Sequence, residues 1–202
     1  MRALGILVKS SSYGDKMDLV SLQIDLAQRS KWNIGYFLSG LVFWIYVLIT
    51  FLNVPVDKAP TYWLVGTFFI FPIAILFSKL CNADPFTKGN KLADLVGFTH
   101  MSVISMSMPI ILVIYFKYPE ALLLTMAIAY CIDFYVMSWA FGSRIFGASA
   151  GIRVFLSSAA WLFLPEYRDL LIPVIVLVSY SLLVIFIPIK RNAWLKSRKK
   201  KA

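Results

Sequence analysis

The amino-acid sequence predicts an all-α integral membrane protein, a bundle of six transmembrane helices. Three observations carry this. Of the 202 residues, 60% are hydrophobic and only 15% are charged, with a mean hydropathy of +0.77. A soluble domain averages about 45–50% apolar and about 25% charged residues, and a fold of this size could not bury the excess. Six apolar runs are long enough to cross about 30 Å of hydrocarbon at about 1.5 Å per residue. The cations behind a net charge of +10 cluster at the ends and on one set of loops, as topology signals do.

Taken in order, residues 1–16 read as a flexible N-terminal arm with a serine run, or as a start-site extension ahead of Met17. Their apolar stretch is too short for a signal peptide and no small-residue cleavage site follows it. Residues 17–33 hold a short helix over 18–30 with Leu19, Leu22 and Leu26 on one side. It either lies flat on the inner leaflet or leads into the first span. The six-helix domain, 34–189, has spans at 34–52, 62–80, 93–116, 121–141, 147–164 and 170–189. Loops combining proline with charge, or glycine with cations, separate them. Pro72, Pro109 and Pro173 lie inside spans, where proline is expected to kink a helix.

With the N-terminal side cytoplasmic, sixteen cations fall inside and three outside (Lys58, Lys117 and Arg168), with Arg153 within a span. The positive-inside rule then puts both termini in the cytoplasm. Residues 190–202 form a polybasic tail with Lys190, Arg191, Lys196, Arg198, Lys199, Lys200 and Lys201. It reads as an orientation signal and a contact for anionic lipid, worth about 1 kcal/mol per cation near the surface. Nucleic acid is not an expected partner, because no basic face interleaved with aromatics lies outside the spans. Trp32, Tyr62, Trp63, Trp139, Trp161, Tyr167 and Trp194 fall near span ends as interfacial anchors, whereas Trp44 is expected to pack.

Ionisable residues within spans point to function because placing them there costs several kcal/mol. His100, Asp133 and Arg153 qualify. They lie about 10, 12 and 9 Å from the cytoplasmic edge at about 1.5 Å per residue, one layer on three consecutive spans. Three readings stand open. Asp133 and Arg153 pair, with or without His100, and lock the bundle; the three line a polar cavity open to the cytoplasm that binds substrate or relays protons; or they are unrelated residues that snorkel.

Gly147 and Gly151 form a small-xxx-small pattern suited to close helix packing within the chain. Met101, Met106 and Met108 are soft donors beside His100 but read as packing residues. Cys81 and Cys131 are expected to be free thiols, Cys131 inside a helix. No nucleophile elbow, phosphate loop, dinucleotide fingerprint or histidine metal motif is present, so no catalytic residue, cofactor or metal is expected. Function narrows to a transporter-like or accessory membrane protein, with a membrane enzyme acting on lipid from the cytoplasmic side as the alternative. A homo-oligomer or a membrane-protein partner is compatible with either.

Three stretches carry a resemblance: MDLVSLQIDLAQRS at 17–30, GLVFW at 40–44, and FSKLCNADPFTKGNKLADL at 77–95. Together they resemble a family of small bacterial membrane proteins known only as a domain of unknown function, over residues 17–189. The resemblance implies a six-helix fold in the bacterial inner membrane and favours Met17 as the natural start. It implies no activity and assigns no functional residue.

Overall fold

Helices follow the apolar runs, and no strand occurs among the described residues. The structure, a computed structural model, describes residues 19–199. The expected arm 1–16, together with Met17, Lys200 and Lys201, lies outside the described residues. The elements are α1 (Leu19–Arg29), α2 (Ile34–Asn53), α3 (Ala59–Thr67), α4 (Ile70–Leu80), α5 (Lys91–Lys117), α6 (Leu122–Ala129), α7 (Asp133–Ala140), α8 (Ile145–Phe163) and α9 (Arg168–Lys199).

Among the described residues, five helical segments are long and apolar enough to cross a membrane: Lys31–Asn53, Lys91–Lys117, Pro119–Ala140, Ile145–Phe163 and Arg168–Arg198. A sixth arises if α3 and α4, bent 51° at their junction, count as one. The sequence led us to expect one run at 62–80; the chain instead breaks at Phe68 and Phe69. Pro72 in the first turn of α4 has no N–H for the carbonyl four residues back. By contrast, α5 and α9 run on through Pro109 and Pro173 as single helices. The large side chains on the outside are apolar, among them Phe98, Met106, Phe155 and Phe163. The interior holds buried Asp133 and Arg153, the arrangement expected when the surrounding solvent is less polar than the core.

Helix α2 is the hub. It buries Phe37, Phe43, Trp44 and Val47 and packs on α3, α4 and α9. Gly35 lets α4 approach closely: a Cβ there would stand 2.6 Å from the Ala74 carbonyl oxygen and 2.1 Å from Ser78 Oγ. Helix α5 packs instead on α6 and α7. The bundle therefore has two walls, with a gap between α4 and α5. At one end Thr61 Oγ1 of α3 and Tyr115 Oη of α5 hydrogen-bond at 2.8 Å.

The other end is closed by α1, which neither lies apart from the bundle nor continues into α2. Lys31, Trp32 and Asn33 take φ of 51°, 57° and 54°, three successive left-handed residues that cost about 1–2 kcal/mol each. The turn folds α1 beneath α5 and α9, and buries Leu26 and Ala27. Trp32, expected at the interface, is wholly buried against Phe141, Phe146 and Trp194, at ring separations of 6.0, 5.5 and 6.0 Å. That burial helps offset the strained turn. Trp63 is also buried in the bundle, its Nε1 donating to Thr50 Oγ1 at 2.8 Å.

Loop 82–90 is tied to α1. Asp84 Oδ1 accepts from the N–H groups of Phe86 and Thr87, both at 3.0 Å, and Arg29 Nη2 donates to Oδ2 at 2.7 Å. Asn90 Oδ1 caps α5 by accepting from Leu92 and Ala93, while its Nδ2 donates to the Leu22 carbonyl and to Asp25 Oδ2. The expected tail begins as helix: Lys190, Arg191, Lys196 and Arg198 lie on the last turns of α9, and Trp194 Nε1 donates to the Gly142 carbonyl at 3.2 Å.

Candidate functional site

The site grows from a break in the fourth apolar segment. Between α6 and α7 the backbone tightens, with Cys131 N–H donating to the Ile128 carbonyl and Phe134 N–H to that of Cys131, both at 3.1 Å. Three-residue steps of this kind interrupt an α-helix. Cys131 therefore lies in the break rather than within a helix, and both cysteines are free thiols. The break makes Asp133 the first residue of α7, where the partial positive charge of a helix N-terminus favours a carboxylate.

Asp133, 5% exposed, hydrogen-bonds through Oδ2 to Nδ1 of His100 on α5. The His100 ring also meets Tyr36 of α2 edge-on at 5.6 Å. The expected Asp133–Arg153 ion pair does not form. Successive helical residues point about 100° apart, so Asp133 turns to α5 and it is Phe134 that faces α8. The Arg153 guanidinium lies 4.6 Å from the Phe134 ring and 4.9 Å from the Tyr180 ring. It is 1% exposed, and its Nε and Nη2 have no hydrogen-bond partner among the described residues. Cation–π contact takes the place of a carboxylate. The structure thus brings His100 and Asp133 together and sets Arg153 behind two rings.

A cavity of about 380 Å³ adjoins the pair. Its walls are apolar and aromatic, with Phe37 and Trp44 from α2, Ser107 and Met108 from α5, Tyr130 from the break and Tyr180 from α9. That volume falls in the range of small-molecule sites, about 300–1,000 Å³. Phe68, Phe71 and Met101 line it while also standing on the outer surface. The mouth therefore opens sideways, through the gap between α4 and α5. A crevice of about 50 Å³ reaches the same histidine from loop 82–90, lined by Asn33, Pro85, Phe86 and Thr87. His100 and Tyr36 line both spaces.

Outside the apolar segments, electrostatics hold the crevice rim. Burial alone would raise the Asp84 carboxyl, but the Arg29 guanidinium and two backbone N–H groups outweigh it and hold the group below the usual carboxylate range. Arg29 is raised in turn, chiefly by its hydrogen bond to Asp84. Gly147 and Gly151 face α7: a Cβ on Gly147 would stand 3.3 Å from Ser138 Oγ, and one on Gly151 3.3 Å from Tyr135 Oη.

A cavity does lie at this layer, but its lining is mostly apolar and aromatic and leaves Arg153 out. Its aromatic lining comes from four separated segments, each reading as ordinary membrane-helix composition. The legible signal was the ionisable residues His100 and Asp133 within apolar runs. A family model described as a family of unknown function, DUF7010, matches residues 19–190. No curated protein and no solved structure matches the chain.

Proposed function

The chain belongs to that family of unknown function, and from this premise we propose that it is a six-span membrane protein that takes an apolar ligand from the bilayer into the cavity beside His100 and Asp133. The single observation behind this reading is the sideways mouth between α4 and α5, lined by exposed Phe68, Phe71 and Met101. A ligand reaching such a mouth comes from the hydrocarbon. The protein is transporter-like or accessory, with His100 and Asp133 as its intramembrane polar site and Arg153 buried behind Phe134 and Tyr180. It sits in a bacterial inner membrane with both ends cytoplasmic, because the cations gather on the side of α1, loop 82–90 and the end of α9. Lys190, Arg191, Lys196 and Arg198 lie against anionic lipid there.

A second reading rests on one feature, a histidine oriented by a carboxylate, which is the base-and-orienter arrangement of many enzymes. On that reading the protein acts on a lipid substrate from the cytoplasmic side through the crevice. Native mass spectrometry in mild detergent separates the two. A retained apolar molecule of unchanged mass, lost in Ser107→Phe, supports binding. Turnover of the retained molecule supports the enzyme, and an empty cavity in both proteins contradicts both readings. Fusing a cytoplasm-dependent reporter to the C-terminus tests the orientation: signal is expected there, and signal only from a periplasm-dependent reporter would reverse it.

A further inference from the structure

The pairing of His100 fixes what the cavity offers a ligand. An ionised carboxylate only accepts hydrogen bonds. When Asp133 is ionised and His100 neutral, the contact of Oδ2 with Nδ1 holds the ring proton on Nδ1 and leaves Nε2 as a lone-pair acceptor. Nε2 takes no hydrogen-bond partner among the described residues. The remaining lining is overwhelmingly apolar, so a charged headgroup would be desolvated at high cost. Arg153 is kept out of the lining by Phe134 and Tyr180.

Resting on the cavity-binding reading above, we propose that the ligand is a neutral, membrane-soluble alcohol whose hydroxyl donates to His100 Nε2 while its apolar body fills the cavity. An isoprenoid alcohol and a straight-chain fatty alcohol share this chemistry. A hydrocarbon or an ether of the same shape fills the space but leaves Nε2 desolvated and unpaired, which weakens binding. Asp133 acts as a positioning residue. Its replacement by asparagine lets the amide N–H donate to Nδ1, which moves the ring proton to Nε2 and turns the acceptor into a donor.

The test uses the full chain in nanodiscs, with binding read from Trp44 fluorescence. Farnesol is compared with farnesyl methyl ether, and tetradecanol with its methyl ether. The wild type is expected to prefer the alcohol by about tenfold within at least one pair, the worth of one satisfied hydrogen bond, and the tighter pair identifies the source. In Asp133→Asn the preference is expected to vanish, since alcohol and ether oxygens both accept from Nε2–H. In His100→Phe the preference is expected to vanish while the ether still binds; this second variant keeps a ring in place should Asp133→Asn fold poorly. Equal binding of alcohol and ether to the wild type, or an undiminished preference in either variant, overturns the alcohol assignment and leaves the cavity reading standing. Failure of all four compounds to bind overturns both.

Discussion

Gly35→Ala is the perturbation whose cost the structure defines best. Helices α2 and α4 form one cavity wall, and Gly35 is where they approach. An added Cβ meets Ser78 Oγ at 2.1 Å, the Ala74 carbonyl oxygen at 2.6 Å and the Ser78 backbone nitrogen at 2.6 Å. The first obstacle is a rotatable hydroxyl. The other two are helix backbone and yield only if α4 moves away. Overpacking of this kind costs about 1–3 kcal/mol, and backbone contact places it at the upper end. Alanine's helix preference over glycine returns about 0.8–1.0 kcal/mol, so the net loss is about 1–2 kcal/mol. Thermal unfolding in mild detergent should show a lower Tm. Adding Ser78→Ala should recover less than half of the loss, because both backbone contacts remain. An unchanged Tm in Gly35→Ala, or full recovery in the double variant, would refute the close α2–α4 contact.

Two further outcomes follow from the polar groups. Arg153 stacks on Phe134 and Tyr180 and pairs with no carboxylate among the described residues, so Arg153→Met should leave Tm unchanged or raise it; a loss of about 3–5 kcal/mol is what breaking a buried ion pair would give. Asp84 is held below the usual carboxylate range. Its contribution to stability is therefore complete above the unfolded value of about 3.9 and is lost as pH falls through the lower folded value. The wild type should accordingly lose more Tm than Asp84→Asn on acidification below about pH 4, and equal losses would remove the Arg29–Asp84 clip from the fold.

Long apolar runs fixed where helices form, because periodicity and length act locally. What escaped the sequence was non-local. Trp32 and Trp63 fall near segment ends, where aromatic residues usually anchor at interfaces. The left-handed turn at Lys31–Asn33 carries no glycine to announce it, and it swings Trp32 inward. The layer of His100, Asp133 and Arg153 was legible from depth alone, but the choice of partner was not. Depth along a helix ignores azimuth, and the break at Cys131 sets the azimuth that gives Asp133 to His100 and Phe134 to Arg153. The Gly147 and Gly151 pattern marked a close-packing face; only the fold shows that α7 occupies it.

Photolabelling with a diazirine-bearing fatty alcohol reconstituted in nanodiscs asks whether bilayer molecules enter the protein. Phe37 and Trp44 are each 1% exposed, yet both line the cavity. A lipid confined to the outer surface cannot reach them. Adducts on Phe37 or Trp44, suppressed in Ser107→Phe, are the expected result. Adducts confined to outward-facing residues such as Phe155 and Phe163 would contradict a cavity filled from the membrane.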